Sequence, residues 1–155
     1  MLYLGSFPDS ERAPLESLHG FHTSGRAMYC ALMEDDFRGI AYIIPDGDLV
    51  FLLYLAVCPS FRGVGIGTRA LDAVKSFCGD RRLFLNIEPP GEGDNPEQRD
   101  RRLRFYLRNG FSEHGIITTP DGERYMMMCF GGDVSDDEAM SFYAHIGSDN
   151  LFGLH

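Results

Sequence analysis

Nine consecutive apolar positions, Leu49 to Val57, form the longest unbroken hydrophobic run in the chain. A run of that length bounded by polar residues reads as a strand buried on both faces. Pro59 ends it. Arg62-Gly63-Val64-Gly65-Ile66-Gly67-Thr68 follows, and then apolar residues return at helical spacing: Ile66, Ala70, Val74 and Phe77. The pattern predicts strand, glycine-rich turn and helix, with the helix running from about Gly65 to Phe77. Upstream, apolar segments at Arg26 to Met33 and Phe37 to Ile44 are separated by Glu34-Asp35-Asp36, and Pro45-Asp46-Gly47-Asp48 precedes Leu49. Turn residues at those points predict an antiparallel meander of three strands.

Downstream, Leu83 to Glu88 reads as a strand reached through the helix, and so parallel to Leu49–Val57. Pro96 to Asn109 has helical spacing with proline at its start. Phe111 to Thr118 and Glu123 to Phe130, joined at Pro120-Asp121-Gly122-Glu123, predict a final hairpin, and Asp136 to Ile146 a short C-terminal helix. Before Arg26 the pattern is weaker: Leu2 to Leu4 suits a minimal strand and Asp9 to Leu18 a helix. No repeat or linker interrupts residues 1–155, which read as a single domain.

The turn carries the chemistry. A glycine-rich segment opening a helix presents backbone N–H groups at the positive end of the helix dipole, which is a phosphate site. Its ending lacks the Gly-Lys-Ser/Thr of a nucleoside-triphosphate loop, and Gly63, Gly65 and Gly67 alternate rather than follow G-x-G-x-x-G. The order Val57-x-Pro59 and then Arg62-Gly63-x-Gly65-Ile66-Gly67 resembles R/Q-x-x-G-x-G/A, the pattern of the GNAT superfamily of N-acetyltransferases. Tyr106-x-x-x-Gly110-Phe111 is similar to a second GNAT motif, in the right order after a further strand and helix. The resemblance extends from roughly residue 26 to residue 130.

That resemblance implies an α+β fold: a mixed, mostly antiparallel sheet, helices on both faces, and one parallel strand pair at a splay. It implies acetyl-coenzyme A as co-substrate. The pyrophosphate would lie on Arg62, Gly63, Val64, Gly65, Ile66, Gly67 and Thr68, and main-chain groups of Leu55, Ala56 and Val57 would hold the pantetheine arm and acetyl carbonyl. Tyr106 matches the tyrosine that protonates the departing thiolate. The glutamate some members carry before the loop is missing from Val50 to Tyr54, so Glu88, at the carboxyl end of the parallel strand, is the candidate base. Tyr54 is a further hydroxyl for a water relay. The implied reaction is direct attack of a primary amine, from a small molecule or peptide, in a ternary complex. A non-catalytic coenzyme-A-binding sensor or interaction module is the alternative, and the short segment before Arg26 leaves it open.

Composition narrows the partners. With 14 Lys+Arg against 23 Asp+Glu the net charge is −9, which disfavours nucleic acid and suits a cationic acceptor. No apolar window reaches membrane-spanning length, and MLYLGSFPDSER lacks the basic start of a secretion signal, so a cytoplasmic location is expected. Cys30, Cys58, Cys78 and Cys129 show no pairing pattern and read as free thiols, with no metal site. The helix arginines Arg99, Arg101, Arg102, Arg104 and Arg108 read mainly as a solvated face, and the five histidines show no partner or ligand spacing. A strand edge near the C-terminus would allow a homodimer.

Overall fold

The computed structural model describes residues 27–33, 37–63 and 65–147. The readings for residues 1–26, the Glu34–Asp36 turn, Val64 and the tail lie outside them. Six strands and three long helices follow in the order β1 (Met28–Met33), β2 (Phe37–Asp46), β3 (Leu49–Val57), α1 (Ile66–Cys78), β4 (Arg82–Ile87), α2 (Pro96–Arg108), β5 (Ser112–Thr118), β6 (Arg124–Phe130) and α3 (Asp136–Gly147). One 3-10 turn, Pro59–Phe61, links β3 to the glycine loop.

The strands form one sheet in the order β1-β2-β3-β4-β6-β5. Neighbours are antiparallel except β3 and β4, which the α1 crossover makes parallel. β2 runs two residues further than its sequence pattern predicts. Pro45 pairs with Val50 and Asp46 with Leu49, which reduces the turn to Gly47-Asp48 with Gly47 at φ +60°. β1 stops pairing with β2 at Ile43, so the N–H that Pro45 lacks breaks no rung on that side.

Each face of the sheet packs its own core. Leu71, Val74 and Cys78 of α1 and Tyr106 of α2 cover Val50, Leu52, Leu83, Leu85 and Met128. On the other face, Ala139, Phe142, Tyr143 and Ile146 of α3 cover Tyr42, Phe51, Tyr54, Phe84 and Met127. Helix α3 is well anchored. Ser135 and Glu138 form a reciprocal capping box, each backbone N–H donating to the other's side chain at 2.9 and 3.1 Å. Arg82 then donates to both oxygens of Glu138 and both of Asp48, tying α3 to the β2–β3 turn. Two histidines also have partners, contrary to the sequence reading. His114 lies between Asp133 and Asp136 at 2.8 and 2.6 Å, and His145 meets Asp46 at 2.7 Å.

The parallel pair is short, and that shapes the site. β3 and β4 align only from Leu49/Arg82 to Phe51/Phe84, where the two phenyl rings stack with centroids 4.8 Å apart. Immediately beyond, Leu52 pairs with Ile43 and Tyr54 with Tyr42, leaving Leu53 as a bulge with no partner on β2. A bulge bends its strand. From Leu52 onward β3 stays with β2 while β4 stays with β6 as far as Ile87, so the sheet opens between them.

Candidate active site

The opening and the glycine loop lie at the same end of the sheet, because β3 leads from one to the other. Along β3 the opening exposes the strand edge at Leu55, Ala56 and Val57, whose main chain no strand among the described residues pairs on the β4 side. Backbone polar groups at such an edge need a partner, and an extended ligand lying between the strands would supply one.

Arg62 turns its guanidinium back onto the chain, Nε donating to the Val57 carbonyl at 3.1 Å, which braces the loop against β3. Gly63 and Gly65 adopt φ +83° and +80°, a region that side chains disfavour. Gly65 is the N-cap of α1 with no side-chain cap, and its carbonyl accepts from Arg69 N at 3.1 Å. The first-turn N–H groups of a helix have no intrahelical acceptor, so Ile66, Gly67 and Thr68 point theirs outward with the positive end of the dipole. Gly63, Gly65 and Thr68 are exposed, while the Ile66 side chain is buried in the core.

Gly67 also has a packing task that its sequence position does not suggest. A Cβ there would lie 2.9 Å from the Phe105 ring of α2. Its missing side chain lets α1 and α2 touch, and the Lys75 ammonium fixes the same contact further along by donating to the Asn109 carbonyl.

Tyr106 is held by that junction. It is buried, with Phe105 and Phe111 edge-on at 5.1 and 5.4 Å. Gly110, at φ +87°, turns the chain so that Phe111 N reaches the Tyr106 carbonyl at 3.1 Å, which gives the Tyr-x-x-x-Gly-Phe spacing its structural meaning. Burial pushes the phenol up to about 12, against a smaller opposing pull from Arg102. It therefore keeps its proton at physiological pH.

Glu88 stands just past the end of β4 with its carboxylate taken by two arginines, Arg99 at 2.7 Å and Arg102 at 3.4 Å. Arg99 also donates to the Pro89 carbonyl at 3.1 Å and the Asn95 side chain at 2.8 Å, clasping the loop from 89 to 95. The arginine face is mostly solvated, as its sequence suggests, with Arg101, Arg104 and Arg108 exposed. Arg99 and Arg102 are largely covered and serve the site's scaffold, whereas Arg104 pairs with Asp100 at 3.9 Å on the surface. The opposing carboxylate lies fourteen residues away or less yet across a strand end, so helix periodicity does not reveal it.

Sequence reasoning also missed Asn86 and Tyr143. Asn86, on β4 within the opening, donates from Nδ2 to the Tyr143 hydroxyl of α3 at 2.6 Å. An asparagine inside an apolar strand is the one signal that marks it. All four cysteines are free. Among the described residues no group of three His, Cys, Asp or Glu side chains is placed to hold a metal, and no helix is long and apolar enough to cross a membrane.

Comparison with known proteins fits this geometry. The family model described as "Acetyltransferase (GNAT) domain" matches residues 24–113. A protein from Bacteroides thetaiotaomicron assigned to the GNAT family of acetyltransferases superposes with a TM-score of 0.77 at 22% identity, covering 97% of this chain and 88% of its own. The aminoglycoside 6'-N-acetyltransferase from Enterococcus faecium gives 0.62 at 18%, covering 83% and 85%. PaiA N-acetyltransferase from Thermoplasma acidophilum, in complex with coenzyme A, gives 0.54 at 16%, covering 83% and 82%. No curated protein sequence matches the chain significantly. The match over most of the sheet, the glycine loop and α2 shows that this chain belongs to the GNAT acetyltransferase family.

Proposed function

We propose that the protein transfers acetyl from acetyl-coenzyme A to a primary amine by direct attack within a ternary complex. The observation that carries the reading is the junction of two features: an uncapped, glycine-opened helix start and, leading away from it, a strand edge unpaired among the described residues. A diphosphate with a long amide-bearing arm matches both. Supporting it, the coenzyme-A-bound PaiA N-acetyltransferase shares the fold.

In this reading the N–H groups from Arg62 to Thr68 take the pyrophosphate, Val64 included, with Gly63 and Gly65 leaving the backbone open. Leu55, Ala56 and Val57 take the arm as an added strand would, and an N–H of the β3 edge polarises the acetyl carbonyl. Such a fixed donor contributes about 3 kcal/mol toward the developing oxyanion. Tyr106 donates to the sulfur as the C–S bond breaks. Its phenol is a weaker acid than an ordinary thiol near ~8.5, so it acts by hydrogen bonding to the growing charge, and any proton it passes to the sulfur is restored to it through water by the proton the amine sheds. Glu88, already bonded to Arg99 and Arg102, is assigned to holding the loop from 89 to 95 in place, and the attacking amine sheds its proton to water.

The non-catalytic alternative draws on the same double ion pair and on the absence of a carboxylate from β3. Two measurements separate the readings. Acetyl-coenzyme A at one hundred times its dissociation constant adds ~2.7 kcal/mol to stability in either case, seen as a higher melting temperature. Thiol release with a panel of primary amines then occurs only in an enzyme. Tyr106→Phe is expected to lower kcat about 100-fold while the melting shift with coenzyme A persists. An unchanged kcat removes Tyr106 from the mechanism.

A further inference from the structure

Asn86 is half satisfied. Its Nδ2 is fixed by the Tyr143 hydroxyl, but its Oδ1 is buried and no donor among the described residues reaches it. Buried amide oxygens in folded proteins nearly always have a partner, so an exception needs a reason. Position supplies one. Asn86 lies two residues past the last parallel rung, Phe51/Phe84, inside the opening between β3 and β4. Strand alternation places it on the Phe84 side of the sheet, the face covered by α3. The glycine loop feeds α1, which covers the opposite face.

We infer that Asn86 Oδ1 is the anchor for the acceptor amine, with Tyr143 of the C-terminal helix as its positioning residue. This rests on the acetyl-transfer reading given above. If the donor's phosphates are held where α1 begins, the two substrates meet at the opening from opposite faces of the sheet, and the acceptor enters on the α3 side. There an amide oxygen takes one N–H of the amine and leaves the nitrogen lone pair directed toward the acetyl carbon. A carbonyl accepts from an amine and from its ammonium alike, so the group collects either form. The chemical class of the ligand is therefore a primary amine, taken as the neutral amine or as its ammonium.

Methylamine, the smallest carbon-bearing primary amine, is the probe. The side-chain amide pair of Asn86 is identified in the 1H–15N spectrum by its loss in Asn86→Leu. Methylamine is then titrated into protein alone and into protein loaded with coenzyme A. The expected result is a saturable shift of that pair on adding methylamine to the loaded protein. In parallel, Asn86→Leu raises the KM for methylamine at least tenfold and keeps the melting shift with acetyl-coenzyme A. Tyr143→Phe raises KM several-fold at constant kcat. A pair that moves with coenzyme A and ignores methylamine makes Asn86 a donor contact and overturns the inference, as does an unchanged KM in Asn86→Leu. Should coenzyme A fail to shift the melting temperature, the acetyl-transfer reading falls separately. The titration of the unloaded protein then decides, because a methylamine shift there keeps Asn86 as an amine site and no shift removes it.

Discussion

Three glycines in one loop do two different jobs, and the difference is testable residue by residue. Gly63 and Gly65 are needed for backbone conformation, at φ +83° and +80° with open space around them. Gly67 has ordinary dihedrals and is needed for contact, because a methyl group would press on the Phe105 ring. Gly67→Ala should therefore cost about 1–3 kcal/mol as overpacking between α1 and α2, read from urea unfolding. Gly67→Ala with Phe105→Leu should recover most of that loss, since the leucine vacates the space. Gly65→Ala, strained by its left-handed φ, costs about 1–2 kcal/mol and gains nothing from Phe105→Leu. Recovery in both backgrounds would mean that the helix contact is not what Gly67 serves. The motif itself was legible in sequence, as was Tyr106 from its spacing to Gly110 and Phe111. The division of labour was not, since it depends on a ring thirty-eight residues away from Gly67.

At the scale of elements, hydrophobic patterning carried most of the fold: every strand and helix expected among the described residues is present, shifted by at most a few positions at its ends. What patterning could not show is where β3 leaves β4. The bulge at Leu53 sits in the run LVFLLYLAV with no glycine, proline or polar residue to mark it. Likewise nothing local announces that Arg82 will clamp Glu138, fifty-six residues on, or that His114 of β5 will bridge Asp133 and Asp136 ahead of and within α3. The histidine bridge gives a pH test. Partial burial lowers its pKa, but hydrogen bonds and charge from Asp133 and Asp136 outweigh that, and the net shift is upward. A raised folded pKa contributes stability fully below the unfolded value near ~6.5, and the contribution disappears as pH rises through the folded value. An ion pair of this kind contributes about 0.5–1 kcal/mol. The melting temperature of the parent should exceed that of His114→Gln at pH 6, and the gap should close above neutrality. A gap that widens with pH would show that the neutral ring, not the imidazolium, makes the bridge.

For the whole molecule, charge and site pull in opposite directions. The chain carries −9, yet the inferred donor is itself an anion, so short-range N–H groups at the start of α1 must overcome a repulsive field. The acceptor side has no such conflict: the field that repels the donor draws an ammonium toward the opening. Ionic strength separates the field from the contacts. The Debye length falls from roughly 30 Å at 0.01 M salt to about 8 Å at 0.15 M, which cuts the long-range attraction and leaves a hydrogen bond to the amine intact. The KM for methylamine, cationic at neutral pH, should therefore rise several-fold across that range. Hydroxylamine, uncharged at the same pH and of similar size, should show a KM that barely moves. Coenzyme A affinity must be followed in the same buffers by melting temperature, so that a change at the donor loop is not mistaken for one at the acceptor. Equal salt dependence for the two acceptors would mean that the negative surface serves solubility alone and has no part in gathering substrate.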